Sequence, residues 1–196
     1  IDLSVSGGTL PYTFSWTGPG GPYNTEDLNG LAAGTYNVTV TDANGCVTTC
    51  SITLTEPTLI TSSISGTDLL CFQDNSGTID LSVSGGTLPY TFSWTGPGGP
   101  YNTEDLNGLA AGTYNVTVTD ANGCITTQSI TLTEPTLITS SISGTDLLCF
   151  QDNSGTIDLS VSGGTLPYTF NWTGPGGPYN TEDLNGLAAG TYNVTV

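Results

Sequence analysis

The octet Ile1-Asp-Leu-Ser-Val-Ser-Gly-Gly8 is spelled out again from Ile79 and from Ile157. The spacing is 79 − 1 = 78 residues, and 157 − 79 = 78 again. Laying residues 1–118 over 79–196 leaves three differences: Val47 against Ile125, Cys50 against Gln128, and Ser93 against Asn171. Self-similarity at a fixed period outweighs the one or two domains that length alone would suggest. The chain reads as a tandem array, and its window opens and closes inside a unit, as a slice of a longer polypeptide would. The two ends both carry the Ile-Asp-Leu-Ser-Val and Gly-Thr-Tyr segments, so neither supplies what the other lacks.

Proline sets the phase of the unit. Thr-Glu-Pro57-Thr and Thr-Glu-Pro135-Thr interrupt the strand pattern, and proline is poor in a central strand. A partial repeat is expected over 1–57 without its first strand. A complete repeat follows over 58–135, then a partial repeat over 136–196 without its last strand.

Within the complete repeat the period is two. Tyr114, Val116 and Val118 alternate with Asn115, Thr117 and Thr119, which predicts a strand with one apolar face. Asn122-Gly123 is a tight-hairpin signal if both residues take positive φ. Further strands are expected at Leu59–Ile64, extending toward Leu70, at Thr78–Ser84, at Tyr90–Trp94, and through Ile130 and Leu132. Tyr101 to Leu109 reads as a short strand or one helical turn, with Thr103 as cap. No stretch holds a helical period. Short strands between Gly, Pro and Asn turns predict an all-β fold: immunoglobulin-like sandwiches forming an elongated array.

Charge narrows the function classes. The chain has no Lys, Arg or His against 17 Asp plus Glu, a formal net charge of −17. A polyanion without cationic side chains cannot neutralise phosphates, which argues against nucleic acid. It offers no basic patch to an anionic membrane, and no run of about 18 apolar residues to insert in one. Without histidine, Ser-His-Asp and Cys-His sites cannot be built. The chain reads as non-enzymatic. Complete loss of trypsin-sensitive residues fits exposure to extracellular proteases.

Cysteines stand in register: Cys71 before the second strand and Cys124 before the last, with Cys149 and Cys46 as their repeats. Cys50 is extra, since the next unit has Gln128 there. Paired cysteines in small β modules point to an oxidising compartment. A Cys71–Cys124 disulfide is expected, with Cys46 and Cys149 paired outside the window. It would close a loop of about 53 residues, worth about 4 kcal/mol in the chain-entropy model. Pairing Cys46 with Cys71, or Cys124 with Cys149, is disfavoured because about 80 Å of extended chain separates them. Two cysteines without histidine are too few for zinc.

Other groups invite sharper readings. Trp16, Trp94 and Trp172 could form a sugar platform, but their shared face with Tyr90 and Phe92 fits core packing better. Tyr101, in the Gly/Pro loop, is the better carbohydrate candidate. Asp68, Asp74, Asp80 and Asp120 could gather around Ca²⁺, although no loop has EF-hand spacing and a solvated acidic surface is the simpler reading. No other cofactor is expected. Asn115-Val-Thr117 and Asn171-Trp-Thr173 match glycosylation sequons inside strands, where outward Asn–Thr alternation already accounts for them. Outward threonine rows could meet ice, yet threonine is also a good strand residue.

Ser-Gly-Gly-Thr-Leu-Pro-Tyr-Thr-Phe-Ser-Trp-Thr-Gly, then Asp-Leu-Asn-Gly-Leu-Ala-Ala-Gly-Thr-Tyr-Asn-Val-Thr-Val-Thr-Asp-Ala-Asn-Gly-Cys, then Thr-Leu-Thr-Glu-Pro resembles the SprB repeat of large surface adhesins in gliding Bacteroidota. The resemblance covers most of each unit, and Cys50 departs from it. It implies type IX secretion, display as an outer-membrane-attached filament, and handling by the gliding machinery. It carries no catalytic residues. The expected function is the structural shaft of a secreted adhesin filament in surface attachment and gliding. Its partners would be external surfaces or polysaccharide, and neighbouring shafts if filaments bundle. The alternative is a multivalent carbohydrate-binding array, in which repetition supplies avidity.

Overall fold

The computed structural model describes all 196 residues. Residues 1–59 and 60–196 form two compact units. All regular structure is β, in antiparallel ladders.

The first unit holds β1 (Thr13–Thr17), β2 (Gly34–Thr41) and β3 (Val47–Leu54), paired in that order. Tyr36, Val38 and Val40 of β2 point inward with Trp16 and Leu28. Ile1–Ser6 joins no ladder, although its sequence is that of a strand. Ile1, Leu3 and Val5 still pack on the core, and Leu3 N–H donates to Asp27 Oδ1 at 3.0 Å.

In the second unit, residues 60–135 carry β4 (Thr61–Thr67), β5 (Gly77–Ser84), β6 (Thr91–Thr95), β7 (Leu106–Leu109), β8 (Gly112–Thr119) and β9 (Ile125–Leu132). One sheet is ordered β4-β5-β7 and the other β6-β8-β9. In immunoglobulin letters this is A-B-E facing C-F-G. The core lies between them: Ile79 and Leu81 from β5, Leu106 and Leu109 from β7, Trp94 from β6, Tyr114, Val116 and Val118 from β8. Every member of this core lies between Ile60 and Leu132, so the sandwich is self-contained.

β4 and β9 close one side of the sandwich. Ser62 Oγ lies 3.2 Å from Thr126 Oγ1, and Gln128 Nε2 donates to the Ser62 carbonyl at 2.7 Å. At the far end Thr133 N–H donates to Asp68 Oδ1 at 2.7 Å, and Leu69 N–H to the Thr133 carbonyl at 3.0 Å. Start meets start and end meets end, so the two strands run in the same direction. The chain therefore enters at a leading pole, shared with the β5–β6 loop and the β8–β9 turn. It leaves at a trailing pole, shared with the β4–β5 loop.

Residues 136–196 carry β10 (Thr139–Thr145), β11 (Gly155–Ser162), β12 (Asn171–Thr173), β13 (Leu184–Leu187) and β14 (Asn193–Thr195). β10-β11-β13 and β12-β14 repeat the pairings of β4-β5-β7 and β6-β8.

The first strand of the complete repeat, Thr61–Thr67, lies inside the expected Leu59–Leu70 span. Of the two readings of Tyr101–Leu109 the short strand holds, as Leu106–Leu109; Thr103 caps no helical turn, and its Oγ1 donates to the Asp105 carbonyl at 2.9 Å. One local expectation is corrected: the hairpin after β8 is not a two-residue turn. Gly123 takes φ +84°, Asn122 does not take positive φ, and Gly123 N–H donates to the Asp120 carbonyl at 3.0 Å. A turn followed by one left-handed glycine is the three-residue hairpin geometry.

Candidate functional site

The groups with most chemistry in each repeat are three aromatics, the aspartates and the cysteines. Trp94 and Tyr114 are both fully buried. The indole Nε1–H donates to the Thr103 carbonyl at 2.8 Å, so the polar edge of Trp94 is satisfied inside the core. Tyr114 O–H donates to the Ala110 carbonyl, four residues upstream, at 2.9 Å. A tyrosine at the start of this strand, bonded back across the corner, is the tyrosine corner of immunoglobulin-like domains. Burial, then the neighbouring Tyr101, push the Tyr114 phenol above its ordinary value.

Tyr101 is half-buried, tilted at 43° on Tyr114 with ring centres 6.3 Å apart. Its O–H donates to the Pro97 carbonyl at 2.6 Å. It anchors the Gly96–Pro100 loop. Trp16 and Trp172 make the same indole bonds, to Thr25 and Thr181, both at 2.9 Å. The tryptophans are core.

The four aspartates do not converge, and no group of three or more acidic or cysteine side chains gathers. Asp120 is buried beside the β8–β9 turn. Its carboxylate accepts N–H bonds from Thr87 at 2.8 Å, Asn122 at 2.9 Å and Cys124 at 2.8 Å. Burial raises its pKa, but the backbone donors outweigh it and hold the group below its ordinary value. Asp74 accepts from Cys71 and Ser76, and its pKa is also lowered, chiefly by the Ser76 hydroxyl. Asp68 accepts from Thr133 and is lowered by that bond. Asp80 is exposed on β5. The carboxylates replace absent cations with backbone N–H groups, a role that spacing did not reveal.

All five cysteines are free and exposed. The expected Cys71–Cys124 bridge is not formed, and the topology explains why. Cys71 sits in the trailing loop, between Leu69, bonded to Thr133, and Gln73, whose N–H donates to Glu134 Oε2 at 2.7 Å. Cys124 sits at the leading pole, just before β9. The eight residues of β9 separate the poles, about 27 Å at strand rise. A disulfide needs Cα atoms within about 7 Å. Sequence reasoning placed both cysteines before strands but missed that those strands start at opposite poles.

Asn115 and Asn171 of the sequons are exposed on strands, and outward threonines pair across them: Thr113 and Thr131 hydroxyls lie 2.9 Å apart. A hollow of 330 Å³ lined by Gly144, Gly155, Leu187 and Tyr192 corresponds to space that Ile130 and Leu132 fill beside Gly66 and Gly77 in the complete repeat. It is strand-packing space, not a ligand cleft.

An antiparallel two-sheet sandwich with a buried tryptophan and a tyrosine corner defines an immunoglobulin-like module, a class that is typically structural and not catalytic. The family model described as SprB repeat matches residues 1–21, 63–99 and 141–177, one segment in each repeat, as the sequence resemblance implies. Together these features mark a repeat region of cell-surface adhesin type. No curated protein matches the chain. Among solved structures it is similar to one described as "Structure of amphioxus IgVJ-C2 molecule". The identity is 17% and the TM-score 0.34, over 68% of this chain and 94% of that one.

Proposed function

We propose that these repeats form the shaft of a secreted, outer-membrane-attached adhesin filament that serves surface attachment and gliding, and that they carry no enzymatic activity. The observation that carries the reading is the SprB match recurring once in each of three repeats of near-identical sequence. Each repeat has its own core, so copies add length without remaking the fold. The SprB match supports export by the type IX route and handling by the gliding machinery as parts of this reading. The carbohydrate-array reading loses its best residue, because Tyr101 is engaged by Pro97 and Tyr114.

The test is deletion of whole repeats, in register, from the parent filament in a gliding cell. Filament length, attachment and speed of movement are measured. A shaft predicts a graded fall with repeat number and unchanged secretion. Abolition of attachment by loss of one particular repeat, with its near-identical neighbours dispensable, would overturn the reading and point to a dedicated binding site.

A further inference from the structure

The two poles of the complete repeat are chemically matched. At the trailing pole the β4–β5 loop exposes Leu70, Cys71 and Phe72, with Leu70 71% accessible. At the leading pole Leu88, Cys124 and Ile125 are exposed, Leu88 at 71% and Ile125 at 62%. Each pole thus holds one free thiol flanked by apolar side chains that its own core does not use.

Chain connectivity decides which poles meet. The chain leaves the trailing pole at Leu132, and β10 begins at Thr139, so 139 − 132 − 1 = 6 residues join one repeat to the next. Fully extended, six residues span about 20 Å. The trailing pole of one repeat is tethered to the leading pole of its successor. The thiols brought to one junction are a Cys71-position thiol and the Cys124-position thiol of the following repeat, never the two within one sandwich.

We propose that Cys71 of one repeat forms a disulfide with the Cys124-position cysteine of the next, over an apolar junction built by Leu70 and Phe72 on one side and Leu88 and Ile125 on the other. The two thiols give up two protons and two electrons as the S–S bond forms. The electrons pass to a protein disulfide of the oxidising compartment by thiol–disulfide exchange, through a mixed disulfide, leaving that donor as its dithiol. The bonded cysteines are 124 + 78 − 71 = 131 residues apart in sequence. Each repeat is then bonded forward by its trailing cysteine and backward by its leading one. Cys149 and Cys46 occupy the same trailing and leading positions in their repeats. The inference stands apart from the adhesive role and concerns only how repeats are joined.

The test uses two copies of residues 58–135 joined head to tail, each with its self-contained core. In one variant Cys124→Ser is made in the first copy and Cys71→Ser in the second, which leaves the two thiols that share the junction. In the other, Cys71→Ser is made in the first copy and Cys124→Ser in the second, which leaves the two outer thiols. Both are oxidised in a glutathione buffer, and intact mass and alkylatable thiols are measured. The junction variant should lose the mass of two hydrogens as a closed monomer, and its melting temperature should drop on reduction. The outer variant should stay open or become glutathione-capped. Equal circular dichroism and melting of the two in reductant shows that both fold. An open junction variant, or a single 58–135 repeat that closes its own Cys71 to Cys124, overturns the proposal.

Discussion

The carboxylate of Asp120 accepts the Thr87 N–H at 2.8 Å, and so ties the β5–β6 loop to the β8–β9 turn. Ala121 N–H to the Thr87 carbonyl and Asn122 Nδ2 to Thr87 Oγ1, both at 2.9 Å, complete the knot. Asp42 holds Thr9 in the same way in the first unit. In a chain without cationic side chains, a buried carboxylate keeps its charge by collecting backbone donors.

This arrangement makes stability pH-dependent with a definite sign. Asp42, Asp68, Asp74, Asp120 and Asp152 all titrate below the ordinary carboxylate value in the folded chain. A lowered folded value contributes stability above the unfolded pKa, about 3.9, and that stability is lost as pH falls through the folded value. The formal net charge of −17 works the opposite way, because a compact polyanion repels itself. At 1 M salt the screening length is about 3 Å and repulsion is largely removed. Denaturant midpoints at that salt should therefore fall as pH drops below about 4. Asp120→Asn should flatten the slope and lower the midpoint at pH 7. A midpoint that rises steadily into acid at high salt would contradict the sign.

The aromatic corner predicts unequal costs for two neighbouring changes. Trp94→Ala empties the centre of the core and should cost about 3–5 kcal/mol in the 58–135 repeat. Tyr114→Phe keeps the ring and removes the hydroxyl, with its bond to the Ala110 carbonyl at 2.9 Å and its longer one to the Pro97 carbonyl at 3.5 Å, about 1 kcal/mol. For a domain this size that corresponds to about 4–8 °C in melting temperature. Equal losses from the two would mean that the hydroxyl, not the packing, organises the corner.

Alternation made β8 and β5 legible, because one inward face fixes which residues must be apolar. Tyr114, Val116 and Val118 are buried where period two puts them. The core role of Trp94 was legible for the same reason. What alternation cannot carry is the path of the chain between strands. Cys71 and Cys124 each stand before a strand, yet only the ladder order shows that β5 and β9 begin at opposite poles. The hairpin after β8 was misread because Asn-Gly favours a two-residue turn, whereas the side chain of Asp120 bonds Asn122 and Cys124 and sets a wider one. The short β7 was ambiguous since four residues hold no period.

Two glycines separate crowding from backbone strain. Gly123 has φ +84°, and a Cβ there would meet nothing within 4 Å. Gly123→Ala should cost only the left-handed backbone term, about 1–2 kcal/mol. Gly112 has φ +146°, and a Cβ there would lie 2.5 Å from Pro97 Cγ. Gly112→Ala must displace the loop that Tyr101 anchors and should cost more than Gly123→Ala. Chemical denaturation of both variants gives the ranking, and a larger loss at Gly123 would contradict it.

The pair Cys50 and Gln128 yields the last prediction. They occupy the same position in successive repeats, opposite Val38 and Val116. In the complete repeat Gln128 Nε2 reaches from β9 to the Ser62 carbonyl of β4 at 2.7 Å. Beside it only the Ser62–Thr126 hydroxyl pair joins that half of the two strands. Gln128→Cys, which copies the residue of the first unit, replaces an amide donor with a shorter thiol that cannot reach the carbonyl as the amide does. The expected loss is about 1 kcal/mol. It should be local, since β4 keeps its own ladder to β5 and its far end keeps Asp68 on Thr133. Hydrogen exchange should therefore quicken at the amides around Ser62 and Ile64 and leave Leu69 protected. If exchange quickens equally along the whole of β4, the strand detaches as one piece. If it does not change at all, the Gln128 bond is not what holds the leading half of β4 against β9.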